Sequence, residues 1–291
     1  MFDIKKVYEP KTLNETLEIY ASNPNLKIIA GGTDVLIQLR HGKLEDIELL
    51  SINNLRELNK INYQDDGTIV IGSMTSFTTI FRNQIINKYI PILAEASVSM
   101  GSPQIRNTAT IGGNICNGAV SADSAPTLFT LNAILKIESN KTRRLVPITE
   151  FYEGPGKVKL QPGEVLTEII IKKENYHNMR GKYIKFSNRK AMDIAMIGVA
   201  VLGKTGKNKI SDLRIALGVS APTPIRCTKA ESFALNKEIN NKNIKLISEL
   251  TLVDARPRDS WRGSKNYRKH LIKVLTERAL NEVIEGGSNN E

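Results

Sequence analysis

The stretch RNTATIGGNICNGAVSADSAP, residues 106–126, sets Gly112 and Gly113 after an apolar residue and then runs through small and polar side chains to Asp123 and Pro126. A second pair stands earlier, in KIIAGGTDVL, residues 27–36, where Gly31 and Gly32 follow Ile28, Ile29 and Ala30. Residues without a Cβ let backbone N–H groups converge on one point and let a bulky anion come close. Thr33 adds a hydroxyl donor. The Asp34 carboxylate repels phosphate and suits a helix cap or a sugar hydroxyl, and Asn114 takes the polar position in the later stretch. Two readings stay open: a pair of ordinary strand-end turns, or two loops that hold a dinucleotide pyrophosphate between them.

Around the first pair, TLNETLEIY (12–20) opens on Thr12 with Glu15 three residues on, a capping box, and Leu13, Leu17 and Tyr20 recur at helical spacing. LKIIA (26–30) predicts a short buried strand and IELLSI (47–52) another, so about 55 residues form a β-α-β-like opening. TIVIGS (68–73), AILKIES (133–139) and EVLTEIIIK (164–172) are further strands. IPILAEASVSM (90–100) is a helix with Pro91 in its first turn, and EGPGKVKLQPGE (153–164) is loop or edge. After about residue 178 come three strands, in KYIKFSNR (182–189), IAMIGVAVLG (194–203) and DLRIALGVS (212–220). Helices follow them, the last from about Ser264 to Glu285, before a frayed tail GGSNNE. Strands followed by helices predict a separate α+β unit, with a boundary near residues 173–180.

GVAVLGKT (198–205) satisfies the P-loop pattern, but its central residues read as the strand itself and no helix start follows, so a hairpin turn is the expected structure. A G-x-G-x-x-G fingerprint after a first strand is absent. Lys185 alternates with Tyr183 and Ser187 on one strand face, where most lysines are solvated, and Arg189 with Asp193 suits a surface ion pair. Trp261, the single tryptophan, is expected to anchor the C-terminal helix by packing.

The chain has 291 residues, 41% hydrophobic and 24% charged, enough for two or three modest domains and unlike a disordered chain. No apolar run approaches the roughly 18 residues that span a bilayer, and MFDIKKVYEP lacks a signal peptide's apolar region. Two cysteines, Cys116 and Cys227, make no disulfide framework, so a cytoplasmic protein without membrane attachment is expected. The isolated histidines His41, His177 and His270 offer no metal site, and the cysteines offer no iron–sulfur cluster. The net charge of +11 is spread along the chain except in residues 255–273, and no recognition motif accompanies it. Nucleic acid is therefore not the expected partner, although a basic nucleotide- or RNA-binding module without flavin stands as the reading from another functional class.

Five blocks, AGGTDVLIQLR (30–40), PQIRNTATIGGNICNGAVSADSAPTL (103–128), YIKFSNRKAMDIAMIG (183–198), ALGVSAPTPIRC (216–227) and PRDSWRGSKNYRKHL (257–271), carry a resemblance that runs essentially from end to end. Together they resemble the flavin-binding medium subunit of the molybdenum hydroxylases, and within that family the xanthine dehydrogenase branch. The resemblance implies an α+β protein with a vanillyl-alcohol-oxidase (PCMH)-type FAD domain at 1–175, in lobes of about 1–55 and 56–175. A smaller α+β C-terminal domain of the CO dehydrogenase flavoprotein type would occupy 180–291. It implies a first FAD loop of Ile28, Ile29, Ala30, Gly31, Gly32, Thr33, Asp34 and Val35, and a second of Thr110, Ile111, Gly112, Gly113 and Asn114. Met100, Asp123 by a hydrogen bond, Leu166 by packing and Lys185 by proximity complete the implied cofactor contacts. It further implies partners: a large subunit with the molybdenum cofactor, which hydroxylates the substrate, and a small subunit with 2Fe–2S clusters. FAD would then pass electrons to NAD, so no catalytic acid or base is expected here. The substrate would be xanthine or, in a related enzyme, another purine, an N-heterocycle or an aldehyde. Relatives acting on aromatic thioesters carry a cysteine-rich insertion that this chain lacks, which leaves Cys116 as a small buried residue beside the flavin loop.

Overall fold

Thr12 caps the first helix as its spacing predicts, with Oγ1 accepting from the Glu15 N–H at 3.2 Å, while Glu15 reaches one residue further back than a capping box requires, to the Lys11 N–H at 2.7 Å. The computed structural model describes residues 3–285, and the expected frayed tail lies outside the described residues. β1 (Ile4–Tyr8), α1 (Leu13–Ser22), β2 (Lys27–Ile29), α2 (Val35–Arg40) and β3 (Ile47–Ser51) form a first lobe whose parallel sheet runs β1-β3-β2. Leu49 and Leu50 fill its core, as a parallel central strand requires. β2 is only three residues long and half-exposed rather than buried: Ile28 packs against the small cluster of Ile52, Leu55, Leu58 and Met74 and also borders a cavity.

The second lobe is a five-stranded antiparallel sheet in the order β4-β5-β10-β6-β7, with all its helices inserted between β5 and β6. Its elements are β4 (Ile61–Tyr63), β5 (Ile69–Gly72), α3 (Phe77–Arg82), α4 (Gln84–Tyr89), α5 (Pro91–Ser99), α6 (Pro103–Thr108), α7 (Ile111–Cys116), α8 (Ser124–Thr130), β6 (Ile134–Glu138), β7 (Arg143–Pro147), the small hairpin β8 (Tyr152–Gly154) and β9 (Lys157–Val158), and β10 (Val165–Ile171). Four of the short helices rest on side-chain caps, from Ser76, Asn83, Ser102 and Thr110. Each cap satisfies a backbone donor that a one- or two-turn helix would otherwise leave bare. The second glycine pair therefore opens a helix, α7, and does not end a strand as the first pair does.

In the C-terminal part, β11 (Arg180–Phe186), β12 (Ile197–Gly206), β13 (Lys209–Gly218) and β14 (Ile225–Arg226) form an antiparallel sheet, followed by α9 (Thr228–Ala234), α10 (Asn241–Asp254) and α11 (Lys265–Glu285). The P-loop-like octad lies inside β12, and Lys207 and Asn208, both with positive φ, make the two-residue hairpin to β13. Strand periodicity divides this sheet between two cores. Val199, Val201, Ile215 and Leu217 pack with α9–α11, whereas Tyr183, Ala200, Leu202 and Ala216 complete the core of the second lobe. Burial on both faces explains the unbroken apolar run of β12. Close approach of the two parts is paid in side-chain volume: a Cβ on Gly181 would stand 2.9 Å from Ile92 Cβ.

Trp261 does not anchor the C-terminal helix. It is 80% exposed beneath the Arg262 guanidinium, and the anchoring falls instead to buried Arg268, which donates to Met196 O and to Ser260 Oγ at 2.8 Å.

Candidate functional site

The first lobe and the helix-bearing side of the second lobe enclose a cavity of about 540 Å³, within the size range of cofactor pockets. Ile28, Ala30, Gly31, Gly32, Thr33, Asp34 and Val35 line it on one side, and Thr110, Gly112, Gly113 and Asn114 on the other, with Met100 and Leu166 as apolar wall. Of the remaining residues singled out from the sequence, Ile111 is fully buried in the core, Ile29 alternates away within β2, and Asp123 and Lys185 lie outside the lining.

The four glycines are there for different reasons. A Cβ on Gly31 would fall 1.8 Å from the Thr108 carbonyl oxygen, so the two loops touch backbone to backbone. A Cβ on Gly112 would fall 2.6 Å from Ser73 Cβ and 2.7 Å from Ser73 O. These two are demanded by the protein's own packing. Gly32 has φ +73°, a conformation that costs other residues strain. Gly113 is the least crowded, meeting only Thr110 Oγ1 at 2.9 Å and Ala30 Cβ at 3.9 Å.

Backbone donors are distributed just as unequally. The N–H groups of Gly31, Gly32, Thr33 and Asp34 have no acceptor among the described residues. In the second loop every amide from Ile111 to Asn114 is occupied: Ile111 by Thr75 O at 3.0 Å, Gly112 by Ser73 O at 2.8 Å, Gly113 by Thr110 Oγ1 at 3.1 Å and Asn114 by Thr110 O at 3.0 Å. The similar sequences thus do different work. The first loop can cradle an anion with backbone N–H groups, and the second faces it with side chains. Asn114 is oriented for this, since buried Ser124 donates to its Oδ1 at 2.7 Å and leaves Nδ2 without a partner among the described residues.

Asp34 precedes α2 without capping it through its side chain. Burial pushes its carboxyl above the ordinary range, partly offset by the Asn117 side chain, and the group lines the cavity where a sugar hydroxyl could donate to it. Cys116 also borders the cavity and is part-exposed rather than buried as expected, and desolvation pushes its thiol up to about 12, so it stays protonated at neutral pH.

Lys185 is not a solvated strand lysine. Its side chain is 10% exposed, and Nζ donates to Asp123 Oδ2 at 2.8 Å and to Ser99 O at 3.1 Å. Tyr183, two residues earlier on the same face of β11, donates to Asp123 Oδ1 at 2.9 Å. Burial pushes the Asp123 carboxyl up, with Lys185 and Tyr183 acting against it. Tyr183 was visible in the sequence only as the strand-face neighbour of Lys185. Ser99, which accepts from Lys185, adjoins Met100 in the cavity wall, so this buried pair stands directly behind that wall. Lys185 and Ser99 also border a second hollow of about 340 Å³ beneath residues 186–193.

A large, mostly apolar cleft, one loop of free amides, an oriented amide and a buried cation behind the wall fit an elongated anionic cofactor with an apolar ring. The family described as "FAD binding domain in molybdopterin dehydrogenase" matches residues 2–172, and "CO dehydrogenase flavoprotein C-terminal domain" matches residues 182–283. The chain is 43% identical to the xanthine dehydrogenase FAD-binding subunit of Escherichia coli O157:H7, over 98% of this chain and 97% of that one. It is 31% identical to the glyceraldehyde dehydrogenase medium chain of Sulfolobus acidocaldarius, over 94% and 96%. Among solved structures, the carbon monoxide dehydrogenase of Hydrogenophaga pseudoflava contains a chain matched with a TM-score of 0.92 at 27% identity, covering 97% of this chain and 98% of that one. The FAD-binding domain followed by a C-terminal flavoprotein domain is thus the architecture of this chain.

Proposed function

The chain belongs to the family of FAD-binding subunits of the molybdenum hydroxylases, and from that premise we propose that it serves a xanthine dehydrogenase. In this reading a large subunit with the molybdenum cofactor converts xanthine and water to urate, and a small subunit with 2Fe–2S clusters relays the electrons to this chain, with NAD as the final acceptor. FAD, when bound, supplies the exchange between single electrons from the clusters and the two-electron reduction of NAD. The cavity between the two glycine loops carries the flavin part of the reading, and 43% identity along almost the whole chain supports the xanthine branch.

The chain's own residues bind and tune. The free amides of Gly31–Asp34 offset diphosphate charge without a bulky side chain in the way. Asp34 accepts from a ribose hydroxyl, and Asn114 donates from Nδ2. Met100 and Leu166 keep water from the ring-binding end. Lys185 and Asp123 place an oriented buried ion pair behind the Met100 segment, and the dipole of that pair bears on the potential of the bound ring. Electron transfer asks for position and potential, so no residue here needs to move a substrate proton.

Copurification of the chain with its partner subunits tests the proposal. A flavin absorption spectrum is expected, together with xanthine-dependent reduction of NAD. Colourless, flavin-free protein would refute the flavin reading. Turnover of an aldehyde or another N-heterocycle with none of xanthine, or of xanthine with oxygen alone, would refute the substrate or the acceptor.

A further inference from the structure

Ser73 follows directly on β5, borders the large cavity and is 3% exposed. Its backbone is fully engaged: the N–H donates to Thr167 O at 2.9 Å, and the carbonyl accepts from the Gly112 N–H at 2.8 Å. Its hydroxyl is not. Ser73 Oγ is buried with no hydrogen-bond partner, one of five such side-chain atoms among the described residues. The other four belong to Arg106, Tyr152, Arg262 and Thr276, none of which lines the cavity. A buried hydroxyl without a partner destabilises a protein, and alanine would fit the same strand end without that cost.

Ser73 borders the cavity where donors are few, and its hydroxyl, closed off from the cavity in this rotamer, reaches it by a turn about χ1. The amides of Ile111, Gly112, Gly113 and Asn114 are all consumed inside the protein, one of them by Ser73 itself. Ser73 lies against that loop so closely that a Cβ on Gly112 would come within 2.6 Å of its own Cβ. A polar ligand entering on this side finds few backbone donors, and a hydroxyl that can rotate on its χ1 supplies one.

We infer that Ser73 is a cofactor-binding residue, whose hydroxyl donates to a polar atom of bound FAD and finds there the partner it lacks in the protein. This rests on the flavin reading above. The unsatisfied hydroxyl is retained because the bound state satisfies it.

The test uses the full chain stripped of flavin, as wild type and as Ser73→Ala, with two measurements. FAD titration followed by flavin fluorescence is expected to give an affinity about 3- to 10-fold weaker for the variant, the range for one net hydrogen bond. Thermal melting of the flavin-free proteins is expected to be unchanged or higher in the variant, since an unpartnered polar atom has been removed. Equal FAD affinity in the two proteins overturns the assignment while leaving the flavin reading intact. A fall in the flavin-free melting temperature equally overturns it, because the hydroxyl would then serve the fold. A wild-type chain that binds no FAD overturns the flavin reading and the Ser73 assignment with it.

Discussion

Replacing Gly31 with alanine puts a Cβ 1.8 Å from the Thr108 carbonyl oxygen, 2.6 Å from its carbon and 3.1 Å from the Ala109 nitrogen. All three are backbone atoms of the segment leading into Thr110, so no side chain can swing aside. To reach even a tight non-bonded contact the two loops have to part by about 1.5 Å. That segment is itself tied down, by the Phe77 N–H to Ala109 O at 3.2 Å and the Ala109 N–H to Ile105 O at 2.7 Å. The first loop therefore yields, and it carries the free amides. An overpacked contact costs about 1–3 kcal/mol, and a rigid backbone wall places Gly31→Ala at the top of that range, a fall in melting temperature of roughly 5–10 °C. Gly113→Ala meets only the Thr110 hydroxyl at 2.9 Å, which can turn away at the loss of one cap, about 1 kcal/mol. Thermal melting and the flavin-to-protein ratio of the purified chain measure both effects. Gly31→Ala is expected to lose stability and most of its flavin, and Gly113→Ala to lose little of either. A Gly31→Ala protein with wild-type melting and flavin content, or a reversed order of the two variants, would refute the idea that the loops hold each other at backbone contact.

Two further expectations come from buried charge. Lys185→Met leaves the Asp123 carboxylate without its cation and should destabilise by about 3–5 kcal/mol in urea unfolding. Adding Asp123→Asn should restore part of that loss, and either single change should shift the potential of the bound flavin; strictly additive losses with an unmoved potential would return the pair to a purely structural role. Glu138 gives a pH dependence. Burial pushes its carboxyl up, but Lys136, Thr167 and Arg143 outweigh burial and hold it below the ordinary glutamate range. A lowered folded-state pKa adds stability above the unfolded value, about 4.3, and that stability is lost as pH falls through the folded value. Glu138→Gln should therefore lower stability at neutral pH and flatten its decline below about pH 4.3, and an unchanged acid limb in a pH series of urea midpoints would count against the assignment.

The sequence by itself determined whatever depends on neighbours in the chain. The Thr12 cap and Leu13, Leu17 and Tyr20 specify α1, Pro91 starts α5, and the apolar runs at 194–203 and 212–220 specify β12 and β13. The two glycine pairs were legible as candidate ligand loops, and thirteen of the residues named with them line one cavity. Short capped helices such as α6 and α7 escaped, because one or two turns give too little periodicity to read. Only the tertiary structure decided what each glycine is for. Gly31 is bare because the Thr108 backbone, 77 residues further along the chain, presses on it, whereas Gly113 meets only a side-chain hydroxyl that can turn away. It also decided that Lys185 pairs with Asp123, 62 positions away, in a buried contact, and that Trp261 stands in solvent. Periodicity and capping report on residues within a few positions of one another. Burial and ion pairing depend on which distant segments the packed core brings together, and a local pattern does not contain that choice.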